Sequence, residues 1–335
     1  MSNPKRFLRF NTATLVSVYV LILVGAIVRS LGAGMGCPDW PKCFGSYIPP
    51  SSVSGLPTDY EELFLEKRLE KNARLASTLD ALSWDKLADQ VRSDKRVGET
   101  QSFDATKAWI EYVNRIIGVL IGIFVFFNMI FSFAYRKENL WIPLLGLFIL
   151  LLTVFQGWVG SLLVSTNLLP GFITFHMMLA LLMVVLLLYQ RLLVEMREPY
   201  MVLPALKWVL GIFFLLLLPQ VITGTMTREQ VDVLFAEGVG RADVGASLMG
   251  SFFVHRSYSW ILLLMAVIAY ILLRKNGLMT WSWVMLSMVL GEVLIGICLV
   301  YLAMPVFLQP IHLLLGTALF GAVFYLFLRL KMVKA

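Results

Sequence analysis

Apolar residues run along this chain in eight long blocks, about 12–31, 109–134, 140–164, 172–194, 204–224, 250–273, 281–303 and 305–328. Each is close to the roughly 20 residues that a helix needs to cross a hydrocarbon core about 30 Å thick. The pattern predicts an all-α integral membrane protein with eight transmembrane helices, and an even number of crossings returns both termini to one side. Lys5, Arg6, Arg9, Arg136, Lys137, Arg197, Lys207, Arg274, Lys275, Arg329, Lys331 and Lys334 all fall on that side, whereas the opposite short loops 165–171 and 304–305 carry no basic residue. Lys and Arg are retained on the cytoplasmic side of a membrane, so both termini are expected there. The first block follows a short basic tail, and "GAIVRS" has no small-residue cleavage pattern, so it reads as a retained helix rather than a signal peptide.

Composition agrees with the blocks. Of 335 residues, 59% are hydrophobic and 15% charged, and a mean hydropathy of +0.80 excludes a soluble globular domain. The net charge of +7 is mostly accounted for by the cytoplasmic clusters and calls for no nucleic-acid partner. Two outer segments are polar, residues 32–108 and 225–249. The first contains "DYEELFLEKRLEKNARL", a soluble helix with interspersed charges that reads either as a cap or partner surface or as a solvated insertion.

The three cysteines divide by position. Cys298 lies within the seventh block and reads as packing. Cys37 and Cys43 bracket "CPDWPKC" outside the first block, where an oxidising compartment permits a disulfide. Zinc is the rival reading, although no histidine or further cysteine lies nearby in sequence.

The two halves of the chain repeat. Gln156, Gly160 and His176 correspond to Glu292, Gly296 and His312, each displaced by 136 positions (292 − 156, 296 − 160, 312 − 176). "EYVNR" corresponds to "FFVHR", placing Asn114 and Arg115 opposite His255 and Arg256, and "GAIVR" corresponds to "GTMTR", pairing Gly25 and Arg29 with Gly224 and Arg228. The halves are therefore expected as two pseudo-symmetric four-helix bundles in the same orientation, residues 1–194 with the long loop 32–108 and residues 195–335.

His176, His255 and His312 are the chain's three histidines. All fall in the first turns of even-numbered spans, hence at similar depth in the outer leaflet, where polar groups are costly and usually functional. If the sixth and eighth spans face one another, His255 and His312 can clamp one metal, and with no cysteine or aspartate cluster to complete a zinc or copper site, a bis-histidine haem fits better. Arg256, next to one ligand, either bonds a haem propionate or snorkels to the interface. In the first bundle His176 is opposed by Asn114, a poor iron ligand, and Glu111 lies one turn before Asn114 on the same face. The second bundle has Phe252 at the position of Glu111. One bundle then carries a closed electron-transfer haem and the other a reaction site with an acid or base, unless Glu111 is a structural hydrogen-bonding carboxylate.

Those residues carry a resemblance. "GCPDWPKCFG", "EYVNR", "QGWVGSLLVSTNLLPG" leading to His176, "VHRSYS" and "GEVLIGICLV" leading to His312 occur in the order and at the depths seen in the haem A synthase family, over essentially the full chain. The resemblance implies that His255 and His312 hold a b-type haem, and that the first bundle receives haem O and oxidises its C8 methyl group to a formyl group, with water as the implied oxygen source. It implies that Glu111 is the mechanistic glutamate and that Cys37 and Cys43 match a cysteine pair found in part of the family. Asn114 stands where the family usually has histidine, Glu292 where glutamine is common, and the first loop is longer than usual. The expectation is that His176 serves as sole axial ligand to the substrate, with Arg115 on its propionates. A haem O synthase and an electron-transfer protein are the implied partners. The short tail carries no transit peptide, which points to a bacterial inner membrane. The rival readings are a b-type cytochrome that only passes electrons and a haem carrier or assembly factor.

Overall fold

The computed structural model describes residues 4–34, 36–98, 100, 102–166, 171–195 and 198–332. Eleven α-helices are found among them: α1 (Pro4–Ser30), α2 (Tyr60–Ala81), α3 (Asp85–Ser93), α4 (Ala105–Ser132), α5 (Trp141–Ser165), α6 (Phe172–Val194), α7 (Pro204–Ala236), α8 (Arg241–Ser247), α9 (Ser251–Lys275), α10 (Met279–Tyr301) and α11 (Leu308–Arg329). Eight of them, α1, α4, α5, α6, α7, α9, α10 and α11, are long and apolar enough to cross a membrane, in register with the eight apolar blocks. Large side chains such as Val154, Leu215, Trp260 and Leu294 are exposed on them, as expected of a surface whose solvent is lipid. Much of loop 165–171, along with Arg197 and Lys334, lies outside the described residues.

Helix α1 packs on α4 and α6, and α5 closes the ring between α4 and α6; α7 packs on α9 and α11, with α10 between them. The two rings meet where α1 and α6 lie against α11 and α7. A short parallel pair, β1 (Tyr200–Val202) with β2 (Leu330–Met332), joins the start of α7 to the end of α11. The core of the second ring is Leu206, Leu210, Phe213, Ala266, Met285 and Val323 among others. In the first ring a polar knot replaces part of the apolar core. Gln190, fully buried, accepts from Asn128 Nδ2 at 2.7 Å and Asn11 Nδ2 at 3.3 Å and donates to the Ile142 carbonyl at 2.9 Å, so one side chain ties all four helices. Such bonds fix helix register where hydrophobicity is indifferent to it, because lipid is as apolar as leucine.

One element is longer than its hydropathy indicates. Helix α7 continues three turns beyond residue 224, through Arg228, Glu229 and Asp232. These charges are tolerated because each is paired: Arg228 and Arg29 with Asp232, and Glu229 with the start of α6. Opposite the end that bears the termini, α2 and α3 form a cap. Asn72 donates to the Ser165 carbonyl at 2.5 Å, and Phe172 packs among Ala76, Leu79, Ala88 and Val91. The cap is thereby seated on the ends of α5 and α6. Asp104 starts α4 as its N-cap, accepting from Lys107 N–H at 3.0 Å.

Candidate functional site

In the second ring His255 of α9 and His312 of α11 face each other. Their ring centres are 6.3 Å apart and the planes cross at 85°. An imidazole nitrogen binds a metal at about 2 Å, with its ring centre about 1 Å farther away, so two axial imidazoles on one iron put their centres about 6 Å apart. The observed separation agrees with that distance. Both rings are also oriented from behind. His255 Nδ1 is 3.1 Å from the Gln220 carbonyl, which can only accept, so Nδ1 carries the proton and the Nε2 lone pair is left free. Gln220 Nε2 in turn donates to the His255 carbonyl at 3.2 Å. His312 Nδ1 lies 2.9 Å from Glu292 Oε2, out of line for a hydrogen bond but close enough for the carboxylate to orient the ring. Gly224 is needed here: a Cβ at that position would stand 2.9 Å from His255 Cε1.

The first ring repeats this plan with different chemistry. His176 Cε1 is 3.7 Å from the Cβ position of Gly160, the same distance as His312 Cε1 from that of Gly296. Gln156, the counterpart of Glu292, donates to the His176 carbonyl at 3.0 Å and leaves the ring alone. His176 Nδ1 is buried without a hydrogen-bond partner, and so is Asn114 Oδ1. Orphaned polar atoms at membrane depth are costly. Of the second ring's imidazoles, His255 is hydrogen-bonded to the Gln220 carbonyl and His312 has the Glu292 carboxylate beside it, although its Nδ1 too lacks a hydrogen bond.

Glu111 sits one turn toward the cap end from Asn114 and is 3% exposed. Its Oε2 accepts from Cys37 N–H at 2.9 Å, and Oε1 is ion-paired with Arg115. Arg115 also donates to the carbonyls of Lys42, Asp39 and Cys37 at 2.9, 3.0 and 3.3 Å. Cys37 and Cys43 form a disulfide, so the loop they close is strapped onto α4 by the Glu111–Arg115 pair. At Gly36 a Cβ would fall inside the backbone of Lys107, and only glycine permits the approach. The zinc reading of the cysteines is replaced by the disulfide, and no cluster of three or more metal-ligating side chains occurs among the described residues.

Of the residues singled out in the sequence, His255 meets His312, and Glu111 meets Arg115 and the disulfide loop. Arg115 points into that loop. Arg256 is exposed and lies over the rings of Phe252 and Phe253. Sequence reasoning missed Gln220, Thr225 and Glu229 of α7. Thr225 and Glu229 hold the start of α6 two residues before His176: Glu229 Oε1 accepts from Gly171 N–H at 3.1 Å and from the Thr174 N–H and hydroxyl at 3.3 and 3.1 Å, and the Thr174 and Thr225 hydroxyls are 2.8 Å apart. The carboxylate sits where a helix N-terminus favours negative charge. Its signal was a charge inside an otherwise helical apolar pattern. One helix thus holds His255 in the second ring and anchors the start of the helix that carries His176 in the first.

A family profile described as COX15-CtaA, cytochrome oxidase assembly protein, matches residues 9–62 and 80–324. The chain belongs to this family. The unmatched stretch, 63–79, lies within α2. Among similar curated proteins, a Heme A synthase of Shewanella oneidensis is 29% identical over 180 residues, 53% of this chain and 43% of that protein. One of Rhizobium meliloti is 26% identical over 172 residues, 50% and 39% of the two chains. A short stretch of 35 residues is 51% identical to a Heme A synthase of Symbiobacterium thermophilum. The chain spans about two fifths of the length of the first two of these relatives.

Proposed function

We propose that this chain is a haem A synthase, an oxidoreductase that converts the C8 methyl group of haem O to the formyl group of haem A. The observation that carries the reading is the 6.3 Å approach of His255 to His312, while at the repeat-related positions of the first bundle the sequence has His176 and an asparagine, Asn114, instead of a second imidazole. The names of the relatives agree with it. Residues 195–335 form the bundle that holds a b-type haem through His255 and His312, and residues 1–194 form the bundle that takes haem O. The protein lies in a bacterial inner membrane with both termini cytoplasmic, which puts the Cys37–Cys43 disulfide on the oxidising side.

A methyl-to-formyl conversion with water as oxygen source releases four electrons and four protons, and side chains alone cannot carry electrons. When bound, the haem at His255 and His312 supplies one-electron redox chemistry. The chain's own residues do the rest. Gln220 and Glu292 hold the two imidazoles in ligating orientation. His176 fixes the substrate, and its unbraced ring matches a ligand that must arrive and leave. Glu111, buried on α4 one turn from Asn114, takes the protons, with Arg115 and the disulfide loop setting its position. The cap, seated through Asn72 and Phe172, covers the ends of α5 and α6. An electron-transfer protein and a haem O synthase are the partners this chemistry calls for.

Asn114 favours one second reading, a haem carrier descended from the enzyme. Pigment extraction from the purified protein, expressed with and without a haem O synthase, distinguishes them. The enzyme accumulates haem A only with the co-expressed partner. Haem O without haem A identifies a carrier, and haem b alone in both samples identifies an electron-transfer cytochrome.

A further inference from the structure

If His255 and His312 hold a haem, its propionate carboxylates need cationic partners, and neither arginine expected from the sequence is turned to the task. Arg115 is engaged by the disulfide loop and Arg256 lies exposed on two phenylalanines. Another pair is better placed. At the cap end, Arg29 of α1 donates to Asp232 of α7 through Nε at 2.8 Å and approaches the same oxygen through Nη2 at 2.6 Å. Arg228 pairs with the other oxygen of that carboxylate and reaches the Arg29 carbonyl at 3.4 Å. The two guanidinium groups, 17% and 19% exposed, share a single carboxylate. The neighbouring acid, Glu229, is committed to the start of α6.

We propose that Arg29 and Arg228, joined through Asp232, form a carboxylate-binding bridge between the two bundles, Arg228 receiving a propionate of the haem held by His255 and His312 and Arg29 one from the porphyrin of the first bundle. The inference rests on the haem reading above. Three observations support it. Gly224 abuts His255, so that face of α7 looks onto the second site, and Arg228 lies four residues on, one turn nearer the cap end on the same face. The repeat places Gly25 and Arg29 in the same relation on α1. No atom lies within 4 Å of a Cβ at Gly25, whereas His255 closes the equivalent space at Gly224. Finally, two largely buried guanidinium groups at the boundary of the membrane span share one carboxylate, and the planar fork of each arginine suits a further one.

The bridge also ties the sites together electrostatically, since both porphyrins would bond to groups sharing Asp232. The test uses the full-length, haem-loaded protein in detergent and compares Arg228→Gln, Arg29→Gln and Arg228→Lys with Arg74→Gln, a change on the exposed face of α2. Redox titration of the low-spin haem and the haem-to-protein ratio are the readouts. Loss of the cation beside a propionate favours the oxidised form, so Arg228→Gln is expected to lower the midpoint potential, with Arg228→Lys remaining closer to wild type. Arg29→Gln is expected to lower retention of haem O by about threefold or more, with a smaller change in that potential. Wild-type potential and haem O retention in both Gln variants, even with reduced thermal stability, would show a purely structural link between α1 and α7 and overturn the proposal. Absence of low-spin haem from the wild-type protein is a separate result, and it strikes the haem reading itself.

Discussion

His176→Ala is expected to abolish haem A formation, by about a hundredfold or more, whereas Asn114→Ala is expected to retain most of it. The asymmetry follows from the chemistry of the two side chains. His176 is the one imidazole in residues 1–194, and losing it frees the substrate to shift. Misplacement of a reacting group by about 1 Å costs on the order of a hundredfold. An amide is a weak iron ligand, so its removal takes away a neighbour and not the anchor. The measurement is the ratio of haem A to haem O in membranes that co-express a haem O synthase, with the low-spin haem followed as a check on folding. The opposite ranking would transfer the anchoring role to Asn114 and remove the single-histidine account of the first site.

The second large effect is expected at Glu111. Its carboxylate is 3% exposed and touches both the loop closed by the disulfide and the helix that carries Asn114. Glutamine at this position can still accept from Cys37 N–H, but it cannot take a proton. Glu111→Gln is therefore expected to keep the haem and the disulfide and to cut product formation about 100-fold to 10,000-fold, the range typical of lost general acid–base catalysis. Thiol titration reports the disulfide, and pigment extraction reports the product. Undiminished product with an intact disulfide would reduce Glu111 to a strut of the strap.

The elements that hydrophobicity controls were legible from the sequence. The eight spans, the repeat, and the opposition of His255 to His312 follow from apolar periodicity and from a common displacement along the chain. The end of α7 was not, because hydropathy reads Arg228, Glu229 and Asp232 as loop. They stay helical through partners on other helices, Arg29 on α1 and Gly171 and Thr174 at the start of α6. For the same reason the positions of Glu111 and Asn114 on one face of α4 were evident, while the attachment of Glu111 and Arg115 to the disulfide loop was not. A charged side chain within reach of several carbonyls turns to whichever the tertiary fold presents, and sequence spacing carries no record of that choice. Gln190 is a similar case: its place on α6 looked like ordinary span interior, yet it ties four helices.

The central claim is that His255 and His312 ligate one iron, and low-temperature electron paramagnetic resonance of the oxidised, purified protein tests it most directly. The account predicts a low-spin ferric signal of bis-imidazole type that is lost in both His255→Ala and His312→Ala and survives in His176→Ala. Persistence of that signal in either of the first two variants, or its loss in the third alone, would contradict it.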